Sequence, residues 1–169
     1  MRRPLAVIGS IIFFAVAPST VAGLMPYWIS RWVSRPAFFG VEASRYTGAA
    51  LILVGLFLVL DSFARFALEG LGTPAPIAPT KHLVVSGLYR YVRNPIYVGV
   101  VAAILGQGLV FANVELLIYA FVIWLLFHLF VRLYEEPTLK DSFGAEFDEF
   151  RRNVPRWIPR LTPWRGAQP

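Results

Sequence analysis

The sequence predicts an all-α fold, a polytopic transmembrane helical bundle followed by a cytosolic C-terminal amphipathic helix, and three observations carry this reading. Of 169 residues, 57% are hydrophobic and only 15% are charged, whereas an ordinary soluble domain carries about 25% charged residues. The apolar residues fall in long runs almost free of charge, and mean hydropathy is +0.59. After the last run the pattern changes to an apolar stripe at helical spacing, flanked by charge. The length suits one domain, 1–169, with N-terminal spans over 1–75 and the distinctive polar motifs within 76–160.

A helix needs about 20 mostly apolar residues to cross the hydrocarbon core. Four segments qualify, or five if one of the first two is broken. Leu5 to Leu24 lies in the charge-free run between Arg3 and Arg31, with Pro18 expected to kink it. Met1 to Ala17 has the outline of a signal peptide, but Pro18 and the apolar residues beyond it favour an uncleaved anchor. The second span begins at Tyr46 and reaches Leu68 if Asp61 and Arg65 pair at i, i+4. The third is Ile96 to Ala112 and the fourth Leu116 to Val131, joined by so short a link, Asn113 to Glu115, that they must form an antiparallel hairpin. Gly70 to Pro79 contains three prolines and is not helical. In the tail, Leu139, Phe143, Phe147, Phe150 and Val154 recur at helical intervals; Gly144 is a candidate interruption and Pro155 a stop.

The formal charge is +6. With the N-terminus inside, thirteen basic residues lie on the cytosolic side and three, Arg31, Arg35 and Arg45, on the other. The positive-inside rule therefore places both termini and the segment from Glu69 to Pro95 in the cytosol. Cationic loops against an anionic leaflet account for the charge, and no basic stripe interleaved with aromatics points to nucleic acid. The chain has no Cys and two His, which removes thiolate chemistry, disulfides and Cys-ligated metal centres and argues against a multi-histidine metal site, so no metal is expected. The expected location is an integral membrane, the inner membrane if the source is bacterial. Oligomeric state is not legible.

Several polar residues are out of character for connectors. Glu135 and Glu136 are adjacent carboxylates just beyond the fourth span, where they gain nothing from lipid and need water or a cationic partner. On a continuing helix His128, Arg132 and Glu135 share a face, and an Arg132–Glu136 pair at i, i+4 is the structural alternative to a ligand contact. His128 is either a packing hydrogen bonder or a group facing a polar cavity. At the start of the third span, Pro95 suits a first helical turn with Asn94 as its cap. Arg93 there either snorkels to the interface or holds an anion among Tyr89, Tyr91 and Tyr97. Gly106 and Gly108 flank Gln107; with Gly99 and Ala103, Gly106 forms a small-residue packing stripe, while a glycine pair also lets a ligand approach the backbone.

Taken jointly, His82, Gly87, Tyr89, Arg93-Asn94-Pro95, Tyr97 and Gly99, then Glu135-Glu136-Pro137 and Leu139, then Phe143-Gly144, Phe147 and Phe150, and finally Val154-Pro155-Arg156 with Ile158-Pro159-Arg160 form a pattern that resembles the integral-membrane methyltransferases of the isoprenylcysteine carboxyl methyltransferase and phospholipid N-methyltransferase type. It covers roughly residues 80 to 160. Where many relatives have Arg-His-Pro this chain has Arg-Asn-Pro, a departure that weakens transfer of a prenylcysteine substrate. The resemblance implies S-adenosylmethionine as donor and an amphipathic or lipid-like acceptor reached from the bilayer. The donor would be held by His82, Leu83, Gly87, Tyr89, Arg93, Asn94, Pro95, Tyr97, Gly106, Gly108, Glu135 and Glu136, with Arg93, Arg132 and His128 nearest the chemistry. Two rival readings are an NADPH-dependent sterol-reductase-like enzyme, fainter in its tail motif, and a non-enzymatic lipid-binding membrane protein, which leaves the motifs without a purpose.

Overall fold

The computed structural model describes residues 16–68, 83 and 85–166, and their regular elements are all helical, with no strand among them. The expectations for residues 1–15, for Gly70 to Pro79 and for His82 lie outside the described residues. Five α-helices organise the rest: α1 (Met25–Ser30), α2 (Ala43–Leu68), α3 (Pro95–Val110), α4 (Val114–Phe130) and α5 (Glu136–Asn153). Residues 16–19 are also helical and run through a widened π-turn, Thr20–Leu24, into α1.

That widened turn lies beyond Pro18, where the sequence places the kink, and Pro26 accounts for its position. A proline ring inside a helix collides with the carbonyl four residues earlier and supplies no N–H to it. The carbonyl in question is Ala22 O, within Thr20–Leu24, and the turn relieves the clash by closing Met25 N–H onto Thr20 O. Two carbonyls released by this geometry receive side chains instead. Gln107 Nε2 donates to Ala22 O at 2.7 Å and the Tyr119 hydroxyl donates to Val21 O at 3.0 Å. Gln107 Oε1 accepts from Trp32 Nε1 at 3.2 Å. The one polar residue in the apolar run of α3 thus serves as a donor to backbone that a proline has stripped.

The same device recurs after α4. A π-turn, Val131–Glu135, precedes Pro137 by the same interval, its centre holds Leu133, four residues before the proline, and Glu136 N–H returns to Val131 O. The helical path from Val114 therefore runs on into α5 with a shift of phase midway, as far as the break at Gly144. Such a shift rotates the faces of α5 relative to those of α4. It explains why Arg132 and Glu136 do not pair at i, i+4: Arg132 is exposed and has no ion-pair partner among the described residues.

Among the described residues, two helices are long and apolar enough to cross a membrane, Ala43–Arg65 and the 40-residue path Val114–Asn153. As far as the break at Gly144 the latter would extend about 45 Å, more than the hydrocarbon thickness. After Glu115 in the first turn, its next charge is Arg132, so the lipid-compatible part ends at Val131. Leu53, Phe57, Phe121 and Leu125 point outward, as a lipid-facing surface requires. The chain is a membrane protein.

The Gly106 stripe of α3 meets a matching stripe on α2 that the hydropathy pattern alone does not single out. Gly48 lies against Gly106 and Gly55 against Gly99, so the helices run antiparallel at very close range. A Cβ at Gly106 would come 2.5 Å from Gly48 O, and one at Gly55 would come 2.5 Å from Gly99 O. Around this seam Val59, Phe63, Val100, Ile104 and Ala120 form the core of the bundle. The α3–α4 hairpin closes through Asn113, whose Oδ1 accepts from Leu116 N at 2.9 Å. Asp61 and Arg65 pair at 2.8 Å near the end of α2.

A second, smaller core lies under the tail. Phe147, Phe150 and Val154 are buried together, with Leu83, Val85, Leu139, Phe143 and Trp164 packed on them. Gly144 interrupts α5 with φ +52°, ψ −119°, a conformation open to glycine and strained for other residues. Beyond Asn153 the tail runs back along the segment that leads into α3: Arg93 N donates to Pro155 O, Arg160 N to Tyr91 O and Trp164 N to Arg90 O, each at 2.9 Å.

Candidate active site

The tail contacts and the phase shift after α4 bring the two polar motifs into one cluster. From the segment before α3 comes Arg93, from the start of α5 Glu136, and from the tail Arg156. Arg93 Nη1 donates to Glu136 Oε1 at 2.8 Å. Arg156 forks onto the same carboxylate, Nε to Oε1 at 2.7 Å and Nη2 to Oε2 at 2.8 Å. Only 13% of the Glu136 side chain is exposed. Burial alone would raise its pKa, but the Arg156 hydrogen bond and the charges of Arg93 and Arg156 outweigh it and hold the carboxyl below the ordinary range.

Glu135 differs from its neighbour in every respect. It is turned toward α3, where the Tyr97 hydroxyl donates to Oε2 at 3.1 Å, and the Tyr97 ring stacks on Phe127 of α4 at 4.5 Å. No guanidinium among the described residues reaches it. Burial, reinforced by the charge of Glu136, raises its pKa, and the Tyr97 hydrogen bond recovers only part of the cost. The pair therefore consists of one compensated carboxylate and one that lacks a cation. Tyr89, buried and hydrogen-bonded to Ser62, also faces this charge; burial and Glu135 raise its phenol well above the ordinary value, so it stays a donor. Arg93 has a deficiency of the opposite kind. Its Nε is buried without a hydrogen-bond acceptor, although its side chain is only 10% exposed.

Of the residues singled out from sequence, Arg93, Asn94, Tyr97, Glu135 and Glu136 come together here, with Tyr89 beside them and Pro95 opening α3. Asn94 occupies the cap position but does not cap with its side chain; Nδ2 donates instead to Arg156 O at 3.2 Å. The amide is thus oriented by its contact with the tail backbone. The remaining candidates are placed elsewhere. His128 Nδ1 accepts from Trp157 Nε1 at 3.1 Å within an aromatic group that includes Trp124. An indole N–H can only donate, so the His128 Nδ1 lone pair is engaged. Arg132 points outward from the π-turn. Gly106 packs on Gly48 and Ile52, and Gly108 on Leu117. Leu83 belongs to the second core, and Gly87, at φ +50°, lies against the Arg65 guanidinium where a Cβ would collide. An apolar cavity of about 550 Å³ lies away from the cluster, between Ala22, Ile52, Val59, Val100 and Gln107.

Arg156 is the residue that sequence reasoning missed as a site member. A signal was present, since adjacent acids just past a span call for a cationic partner and Arg156 sits in a Val-Pro-Arg motif. Its distance in sequence from Glu136 hid the partnership.

Fold and site together define a helical membrane protein whose charged cluster is assembled at one end of the bundle by a pre-helix segment, a widened turn and a returning tail. The chain belongs to the phospholipid methyltransferase family, which matches residues 43–146. It is similar to the protein-S-isoprenylcysteine O-methyltransferase of Schizosaccharomyces pombe, 37% identical over 80 residues, covering 47% of this chain and 34% of the relative. The enzyme of that name from Saccharomyces cerevisiae is 36% identical over 78 residues, 46% and 32% of the two chains. The cobalt-zinc-cadmium resistance protein CzcN of Cupriavidus metallidurans is 39% identical over 87 residues, 50% and 38%. The chain thus matches about a third of the length of these relatives.

Proposed function

We propose that the protein transfers a methyl group from S-adenosylmethionine to an amphipathic, lipid-like acceptor at the cytosolic face of a membrane, with both termini in the cytosol. The observation that carries this is the unequal pair of carboxylates beside Arg93. S-adenosylmethionine bears a sulfonium, an ammonium and a carboxylate. Glu135 is a desolvated carboxylate with no cation on it among the described residues, and Arg93 Nε is a buried donor without an acceptor; a ligand with those charges satisfies both. Glu135 and Tyr97 would hold the cationic part, and Arg93 the carboxylate. When bound, the donor supplies an electrophilic methyl group. The chain's own residues bind and orient it and keep water out, which supplies most of the acceleration in a displacement that disperses charge.

Arg132 supports the acceptor assignment. It is exposed on the π-turn between lipid-facing Leu129 and Leu133, the depth at which an amphipathic molecule presents its head. The proposed orientation rests on the thirteen-to-three distribution of basic residues. Calorimetry of the purified protein with S-adenosylmethionine, S-adenosylhomocysteine and NADPH tests the donor: the first two should bind, and binding of NADPH alone would overturn the reading. Label from methyl-labelled donor should then appear in total membrane lipids; label confined to water-soluble products would remove the lipid acceptor.

A further inference from the structure

The cluster has a hierarchy that the methyl-transfer reading does not use. Arg156 is held at both ends. Its carbonyl accepts from Asn94, the carbonyl before it accepts from Arg93 N, and its guanidinium spans both oxygens of Glu136. Glu136 Oε1 is shared by two guanidiniums, at 2.7 Å from Arg156 and 2.8 Å from Arg93. A bidentate fork fixes the plane of the carboxylate as well as its position. The orientation of Glu136 then decides which way Arg93 turns its Nη1, and with it where the unpaired Nε points.

We propose that Arg156 is a positioning residue for donor binding, acting through Glu136 to orient Arg93, so that the returning tail completes the site without touching the donor. This rests on the reading of the site as a methyl-donor site. It separates the roles of the two carboxylates: Glu135 faces the ligand, and Glu136 belongs to the scaffold. It also gives the tail after Asn153 a task beyond packing, since a tail that is out of place leaves Glu136 with a single cation and Arg93 free to turn.

The test is a double-mutant cycle on S-adenosylmethionine affinity, measured by calorimetry on full-length protein in lipid nanodiscs, with thermal unfolding of each variant as a check of fold. Arg156→Ala should weaken donor binding about tenfold, a typical coupling between contacting neighbours. In the Glu136→Gln background the same change should cost less than about twofold, because the partner through which it acts has gone. Arg156→Lys, which keeps the charge but not the fork, should fall between wild type and Arg156→Ala, and it carries the cycle if Arg156→Ala does not fold. Wild-type affinity in the Ala and Lys variants overturns the inference while leaving the methyltransferase reading intact. An equal loss in both backgrounds also overturns it, since Arg156 would then act independently of Glu136. A wild-type protein that binds no donor removes both.

Discussion

Neutralising either member of the Glu135–Glu136 pair removes one negative charge from adjacent positions, yet the two changes should move stability in different directions. Glu136→Gln keeps one carbonyl acceptor where the carboxylate received three charge-assisted hydrogen bonds of 2.7 to 2.8 Å. It leaves two guanidiniums without a counter-charge. At roughly 1.5 to 3 kcal/mol per charge-assisted bond, reduced because Arg156 is 24% exposed, the expected loss is about 2 to 4 kcal/mol. For a chain of this size that lowers Tm by roughly 5 to 15 °C. Glu135→Gln keeps the Tyr97 hydrogen bond and removes a desolvated charge that repels Glu136, so stability should stay level or rise by up to about 1 kcal/mol. Donor affinity should fall roughly ten- to a hundredfold in this variant. Thermal unfolding in nanodiscs without donor reads the two stability effects and calorimetry the loss of affinity. If both substitutions lower Tm equally, the division of the pair into a compensated and an uncompensated carboxylate is refuted.

The pH dependence has the same origin. The raised pKa of Glu135 means that donor affinity should fall as pH drops through a value above the ordinary carboxylate range. The lowered pKa of Glu136 makes its stabilising ion cluster present above that range and lost only as pH falls below it; binding should therefore fail on acidification before the fold does, as paired calorimetric and unfolding titrations would show. Gly106→Val places a side chain against Gly48 O and Ile52 N and should cost roughly 1 to 3 kcal/mol by forcing α2 from α3, read as a lowered Tm. Gln107→Ala leaves Ala22 O without its donor and Trp32 Nε1 without its acceptor, for a loss of about 1 to 3 kcal/mol, whereas Gln107→Glu should fail to restore the Ala22 contact. Arg132→Ala should reduce turnover far more than donor affinity if Arg132 aligns the acceptor; equal effects on both would place it at the donor instead.

The helices were legible because hydrocarbon imposes a simple rule on composition: the second, third and fourth predicted segments form α2, α3 and α4 within a few residues, although α3, at 16 residues, is shorter than a span predicted from it requires. The meeting of the motifs around Arg93 and Glu135-Glu136 was legible for a similar reason, since both abut the same end of neighbouring spans. The phase of the helix after Val131 was not. An i, i+4 count across Arg132, Glu135 and Glu136 assumes 3.6 residues per turn, and one widened turn invalidates it. Nor was the role of Gln107 legible, because Ala22 O, which it serves at 2.7 Å, is a free acceptor only once Pro26 has distorted a different helix.

Both failures trace to prolines near the ends of apolar runs, and the two have a common consequence. In water a proline near a helix end is inexpensive, because solvent takes up the released carbonyl. In a bilayer the released group must be met from within the protein. At Pro26 that need recruits Gln107 and Tyr119 from α3 and α4 and so ties the first helical segment to the bundle. At Pro137 the widened turn redirects the helix just where it leaves the apolar zone, presenting Glu135 to Tyr97 and Glu136 to the two arginines. Replacing Pro137 by Ala should therefore favour a regular helix through 131–136, turn Glu136 toward Arg132 and weaken donor binding even though no site residue has changed. The register should be visible as a change in cross-linking between single cysteines at 97 and 135, in a chain that has no native cysteine to interfere. An unchanged cross-linking pattern with undiminished donor affinity would show that Pro137 does not set the turn.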